Sequence, residues 1–120
     1  GQIYIDGVAE TMDSSGGGSI TLIESSATTP FLISGLTTAP SSPANGNIDE
    51  VAVFNTELSA SDVSTIYNGG THNNLNNLST PPLSWWRFEE GSGTTAADSG
   101  TAGIGGTLIN GTAYSSDVPT

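Results

Sequence analysis

Acidic side chains are the groups in this sequence best suited to chemistry. They include two adjacent pairs, Asp49–Glu50 and Glu89–Glu90, and a single aspartate, Asp98, in a glycine-rich stretch. Two carboxyls about 5 Å apart in one cleft can hydrolyse a glycosidic bond, and several together can bind a hard cation such as Ca²⁺. Neighbouring residues on a strand point to opposite faces, so neither pair alone predicts a glycosidase. We therefore expect a protein that is not an enzyme.

Three of these acids are candidate calcium ligands. Asp49 and Glu50 stand at the start of a predicted strand, and Asp98 lies in the sequence "ADSG", where neighbouring glycines can present carbonyl oxygens. Hard cations prefer carboxylate and carbonyl oxygen, which favours a structural Ca²⁺. The alternative for Asp49 and Glu50 is that one carboxylate accepts backbone N–H bonds in a turn while the other faces solvent.

Two adjacent tryptophans, Trp85 and Trp86, are candidate ligand-binding residues. Aromatic faces stack on sugar rings, so the pair could form a platform for a surface glycan. The alternative is a core position, because "LSWWRFEE" (83–90) predicts a strand with Trp86 and Phe88 on one face and Trp85 on the other. The pattern favours the core for at least one of the two.

Charge narrows the range of partners. Twelve Asp and Glu stand against one basic residue, Arg87, which gives a net charge of −11. Such a charge repels phosphate backbones and anionic membranes, so we expect no nucleic acid partner and no membrane insertion. Arg87 is expected to pair with Glu89. The single histidine, His72, lies in an asparagine-rich segment and is predicted to be an ordinary surface residue.

Short strands and turns dominate the rest of the sequence. Asp6–Gly7 between apolar residues predicts a hairpin with a type I′ turn. Further strands are predicted at 19–25, 31–35, 46–55, 83–90 and 107–111. Only 34% of the residues are hydrophobic and 16 are glycine, which is typical of an all-β protein with many turns and a thin core.

One short helix is predicted at about 59–67. Ser59 can cap it and Asp62, three residues on, can complete a capping box. Val63, Ile66 and Tyr67 give it one apolar stripe, and the glycines after Tyr67 end it. Because two turns are not stable alone, the helix must pack on the sheet.

Several of these motifs resemble one family. "IYIDGV" and "GNIDEVAVFNTELSASDVSTIYN" (46–68) look like the C-terminal half of a laminin G-like domain of the concanavalin A-like superfamily. "WWRFEEGSGTTAADSG" resembles the N-terminal strand and first loop of the same family. The resemblance implies an all-β fold, an antiparallel jelly-roll β-sandwich with one short helix. It also implies a structural Ca²⁺ near the sandwich rim.

The order of the two motifs is inverted relative to a complete domain. We expect residues 1–70 to be the C-terminal half of a sandwich, 71–82 a linker, and 83–120 a β-rich segment that resembles a domain start. The last segment could be an appendage, which we favour, or the opening of a further domain. The chain could also be a permuted sandwich or be completed by a neighbouring copy. Each arrangement leaves few apolar strands, so we expect extensive packing against other protein.

The resemblance also implies a function. Such motifs look like those of phage structural proteins and bacterial surface proteins, which predicts an extracellular or virion-surface location. We expect a structural and adhesion module in a virion surface, decoration or tail-fibre protein, with other subunits, further copies of itself or a surface glycan as partners. The alternative is a calcium-dependent carbohydrate-binding module of a bacterial surface protein or of a secreted glycoside hydrolase.

Overall fold

The computed structural model describes residues 2–11, 31–33 and 45–117. The chain divides into two compact units: Gly1–Glu10 together with Asn47–Thr120, and Thr11–Gly46. Nearly all described residues belong to the first unit, which contains both family-like motifs. The predicted strand at 19–25, and the predicted strand at 31–35 beyond residue 33, lie outside the described residues.

The described part is mostly strand and irregular structure with one short α-helix, as the composition predicts. The strands are β1 (Tyr4–Ile5), β2 (Val8–Ala9), β3 (Val51–Val53), β4 (Ser84–Trp86), β5 (Thr95–Ala96) and β6 (Gly106–Thr107); the helix is α1 (Ala60–Tyr67), and 3₁₀ turns follow at Asn68–Gly70 and Leu75–Asn77. The strands pair antiparallel as β1·β2, β3·β4 and β5·β6. Each of these sheets has two strands, and no jelly-roll sandwich is formed among the described residues. No helix in this part of the chain is long and apolar enough to cross a membrane.

The predicted hairpin at Asp6–Gly7 is confirmed. Asp6 has φ 49° and Gly7 has φ 76°, the two positive values that a type I′ turn requires. Ile5 pairs directly with Val8 across the turn. The turn lies against α1, since a Cβ added at Gly7 would stand 2.7 Å from Cδ1 of Tyr67. Both the conformation and this close approach therefore require glycine at position 7.

The predicted helix and its cap are also confirmed. The backbone N–H of Asp62 donates to Oγ of Ser59 at 3.1 Å, and the backbone N–H of Ser59 donates to Oδ2 of Asp62 at 2.9 Å. This reciprocal pair is a capping box. Asn68, in the left-handed conformation with φ 45°, ends the helix.

The strands β3 and β4 are shorter than the sequence predicts. Glu50 has φ 52° and Phe88 has φ 57°, and such left-handed residues cannot continue a strand. The prediction that 83–90 is one strand with Trp86 and Phe88 on the same face is therefore wrong. So is the prediction of one extended strand across 46–55.

The core is built around β4. Trp85 is 2% exposed and Trp86 9% exposed, and the other buried residues of the described part are Leu75, Pro82, Ser84 and Ala96. One edge of β4 pairs with β3, where Ala52 lies opposite Trp85. Its other edge bonds to the loop that follows β5, for example from the N–H of Ser99 to the carbonyl of Trp85 at 2.8 Å. The segment that resembles a domain start (83–120) thus pairs, through β4, with β3 of the motif that resembles a domain end (46–68). Both lie in the same unit.

Candidate functional site

Four charged or titratable side chains meet at one end of the β3·β4 ladder. Val51 pairs with Trp86 there, so Glu50 just before β3 and Arg87 just after β4 are brought close together. His72 enters from the linker, and Glu89 from the turn after β4. We call Glu50, His72, Arg87 and Glu89 the charged cluster.

Short contacts link every member of the charged cluster. Oε1 of Glu50 lies 3.1 Å from Nε2 of His72 and 3.6 Å from Nε of Arg87. Nη2 of Arg87 forms an ion pair with Glu89, which confirms the predicted pairing. The other oxygen of Glu50 accepts a 2.5 Å hydrogen bond from the indole N–H of Trp85. The cluster is therefore fastened to the core.

The charged cluster contains a set of potential metal ligands. Glu50, His72 and Glu89 each offer a ligand atom, and these atoms lie within 4.8 Å of one another. One imidazole with two carboxylates suits a transition metal better than Ca²⁺. The guanidinium of Arg87, however, contacts both carboxylates and already supplies their positive charge. The arrangement is that of an ion-pair network.

Asp98, a predicted calcium ligand, is bound to the backbone. Its Oδ1 accepts N–H bonds from Trp85 at 2.7 Å and Gly100 at 2.8 Å, and its Oδ2 accepts one from Ile104 at 2.7 Å. Burial opposes ionisation, but these three donors together with the hydroxyl of Ser84 outweigh it, so the pKa of Asp98 lies below its usual value. A cation at Asp98 would compete with those donors for the same oxygens.

The other two predicted calcium ligands lie close together but have different partners. Oδ1 of Asp49 accepts the backbone N–H of Glu50 at 3.1 Å, the turn-capping role that was the alternative to metal binding. The side chain of Glu50 belongs to the charged cluster. Asp49, Glu50 and Asp98 do not form a three-ligand set among the described residues. Calcium binding by these residues stays a prediction.

The two tryptophans occupy core positions. Their exposed fractions match the core alternative, and Arg87 covers one of them, with its Cζ 5.0 Å from the ring centroid of Trp85. The indole N–H of Trp86 donates to the carbonyl of Ile104 at 3.0 Å. A sugar could stack on either ring only after these neighbours had moved.

An open cavity of about 250 Å³ lies beside the charged cluster, and its lining consists of Arg87, Glu89, Glu90, Ala97 and Ser99. Glu89 and Glu90 both face it because they lie in a turn that follows the left-handed Phe88. The expectation that the pair would point to opposite faces assumed a continuous strand, and it is wrong for that reason.

Glu90 is held firmly in the cavity wall. It accepts the backbone N–H of Ala97 at 2.6 Å, and the hydroxyl of Tyr114, which donates to the carbonyl of Thr95, also lies within hydrogen-bonding reach of Glu90. Burial opposes ionisation of Glu90, yet these neighbours and the backbone N–H of Glu90 itself hold its pKa below the usual value. Burial, with the neighbouring charge and hydrogen bond of Glu90, raises the pKa of Tyr114 to about 12.

Glu90 does not have the environment of a glycosidase's general acid. Such an enzyme keeps one carboxyl protonated as the general acid, which requires a raised pKa. Glu90 has a lowered pKa, and Glu89 is ion-paired with Arg87. The two carboxylates can accept hydrogen bonds from a ligand.

His72 is an exposed surface residue, as predicted, but the sequence analysis did not predict its partners. It contacts Glu50 and lies 3.3 Å from Nη2 of Arg87. Its own neighbours in the sequence carry no signal for this position. Only the pairing of the two strands in the family-like motifs, β3 and β4, could have indicated part of the charged cluster, because it places Glu50 near Arg87.

No family model matches the chain, and neither the curated proteins nor the solved structures contain a match. The resemblance to laminin G-like domains therefore rests on the sequence motifs alone. Any function must be argued from the site and the surface of this molecule.

Proposed function

We propose that this chain is a non-enzymatic structural and adhesion module of the jelly-roll type, held within a larger assembly by contacts with other subunits. The observation that carries the proposal is an exposed apolar surface, in a described part of the chain whose core is small. Ile3, Ile5 and Val8 are 55%, 58% and 64% exposed, although all three are large and hydrophobic. We call these three side chains the hairpin face.

The hairpin face forms one continuous surface. Ile5 and Val8 are direct cross-strand partners, so their side chains share a face, and Ile3 lies two residues from Ile5 on the same side. Full burial of an Ile or Val side chain contributes about 1.5–3 kcal/mol, and roughly half of that is unrealised here. A two-stranded hairpin is also only marginally stable by itself. Another subunit packed on this face would supply both the burial and the support.

The net charge of the chain determines how copies of it could associate through the hairpin face. At a net charge of −11, copies of the chain repel one another over long range, so association must depend on apolar contact and increase with salt. The family resemblance suggests a virion surface, decoration or tail-fibre protein, or a bacterial surface protein, as the setting. A rigid module that presents polar loops fits either one.

A pair of charge-matched variants tests this proposal. Val8→Lys places a charge in the hairpin face, and Thr56→Lys places the same charge on the exposed loop before α1. We expect the wild type and Thr56→Lys to self-associate in light-scattering measurements at moderate salt, and Val8→Lys to remain monomeric with unchanged circular dichroism. Equal association of both variants would show that the hairpin face is not the contact.

A carbohydrate-binding module is the second candidate, and the cavity beside the charged cluster favours it. Its lining combines a guanidinium, two carboxylates and a hydroxyl, groups that can donate to and accept from sugar hydroxyls. For the calcium-dependent form of this function, binding to a glycan array should be abolished by a chelator. Binding that survives chelation would retain the carbohydrate function and remove the calcium from it.

A further inference from the structure

We propose that the cavity lined by Arg87, Glu89, Glu90, Ala97 and Ser99 binds a single neutral sugar unit through vicinal hydroxyls, without calcium. This inference rests on the carbohydrate-binding candidate and assigns it a site. It differs from the Trp85–Trp86 platform and from the Asp49, Glu50 and Asp98 calcium set.

The size and lining of the cavity select the ligand class. A volume of about 250 Å³ falls below the roughly 300–1,000 Å³ of sites for drug-sized molecules, so one monosaccharide unit is the appropriate scale. Two carboxylates disfavour an anion, and Arg87 disfavours a cation. Ala97 is the one apolar side chain in the lining, which offers little to an apolar ligand. A neutral polyol satisfies donors and acceptors together.

The polar groups of the cavity are fixed in place before any ligand arrives. Arg87 is held by both acids of the charged cluster and by the ring of Trp85. Glu90 is held by the N–H of Ala97. Such preorganisation lowers the entropy lost on binding. The left-handed backbone at Phe88, unfavourable for a bulky residue, is what turns both Glu89 and Glu90 toward the cavity.

Ser99 supplies a free hydroxyl in this wall. Its backbone N–H donates to Trp85 and its carbonyl accepts from Nδ2 of Asn76 at 3.0 Å, so the main chain is anchored on both sides. Within the described part of the chain, its hydroxyl makes no hydrogen bond. It is therefore available to a ligand, and its removal should leave the fold intact.

Titration of ¹⁵N-labelled full chain with a panel of neutral methyl glycosides, in the presence of EDTA, tests the inference. We expect saturable amide shifts at 87–90 and 97–99 for at least one glycoside. Ser99→Ala should weaken binding about three- to tenfold, the effect of losing one or two ordinary hydrogen bonds. Ser92→Ala, an exposed serine outside the cavity lining, should bind as the wild type does.

Two results would overturn the inference: no saturable shifts with any glycoside, or a Kd for Ser99→Ala equal to that of the wild type. Shifts that require added Ca²⁺ would also contradict it, because the site as proposed needs no metal. The light-scattering comparison of Val8→Lys with Thr56→Lys is independent of sugar. Failure of the sugar site is thus distinguishable from failure of the structural and adhesion role.

Discussion

Substitution of Asp98 should reveal how the loop after β5 is attached to the core. Its carboxylate accepts three backbone N–H groups, and one of them belongs to the buried Trp85. In Asp98→Ala that donor is left unpaired inside the protein, whereas Gly100 and Ile104 lie where water can reach them. Hydrogen bonds to charged groups contribute about 1.5–3 kcal/mol each, so we expect a loss of about 2–4 kcal/mol in the free energy of unfolding.

Asp98→Asn should have a smaller effect for a geometric reason. The amide oxygen can keep the two bonds of Oδ1, but the NH₂ group then faces the N–H of Ile104, donor against donor. We expect a loss of about 1–2 kcal/mol. Asp49→Asn is the matched control, since this exposed aspartate accepts a single bond from Glu50, and its effect should stay within about 0.5 kcal/mol.

The pH dependence follows from the lowered pKa of Asp98. The unfolded chain protonates this carboxyl at a higher pH than the folded chain does. Its contribution to stability is therefore present above the unfolded-state pKa of about 3.9 and is lost as the pH falls through the lower folded-state pKa. Asp98→Asn should remove this part of the acid destabilisation. The part that comes from the lowered pKa values of Asp62 and Glu90 should remain.

Denaturant unfolding followed by tryptophan fluorescence is a direct assay, because both tryptophans of the chain lie in β4. We expect the loss of unfolding free energy to be largest in Asp98→Ala, smaller in Asp98→Asn and smallest in Asp49→Asn. All variants are measured at one protein concentration. Equal stability of Asp98→Ala and the wild type would refute the assigned role of Asp98. A loss seen only in the presence of Ca²⁺ would instead support the calcium prediction.

Three further predictions concern other parts of the unit. Ser59→Ala removes the helix cap and should lower the free energy of unfolding by about 1 kcal/mol, measured by urea denaturation. Gly100→Ala would place a Cβ 2.6 Å from the carbonyl oxygen of Leu83, so a loss of about 1–3 kcal/mol is expected, whereas Gly46→Ala meets nothing within 4 Å and should be nearly neutral. In an ultraviolet titration, Tyr114 should ionise near pH 12. Its raised pKa contributes stability that is fully present below the unfolded-state pKa of about 10. That contribution is lost as the pH rises through about 12. Ionisation of Tyr114 near pH 10, identified by its absence in Tyr114→Phe, would contradict this assignment.

Local rules explain what could be predicted from the sequence. The turn at Asp6–Gly7 and the cap at Ser59 each depend on residues within three positions, and both are present as predicted. The turn formed by Asp98 with the N–H of Gly100 is similarly local. Its bonds to Trp85 and Ile104 are not local, and together with those from Gly100 and Ser84 they outweigh burial at this carboxyl.

Tertiary contacts explain what could not be predicted. Glu50 and Phe88 have left-handed backbones although neither is a glycine or an asparagine, and no local pattern indicates this. These two residues shorten β3 and β4, and the turn after Phe88 directs Glu89 and Glu90 into one cavity. Glu89 and Glu90 do not point to opposite faces of a strand, because β4 ends at Trp86 and the left-handed Phe88 follows.

The average mass of the wild-type chain, measured by sedimentation equilibrium over a wide concentration range at moderate salt, tests the central claim most directly. Exposure of the hairpin face predicts masses above the 12.1 kDa of one chain that increase with protein concentration. A constant mass of 12.1 kDa, together with a single steep unfolding transition, would show that the chain is stable without a partner. That result would contradict the proposed role in an assembly.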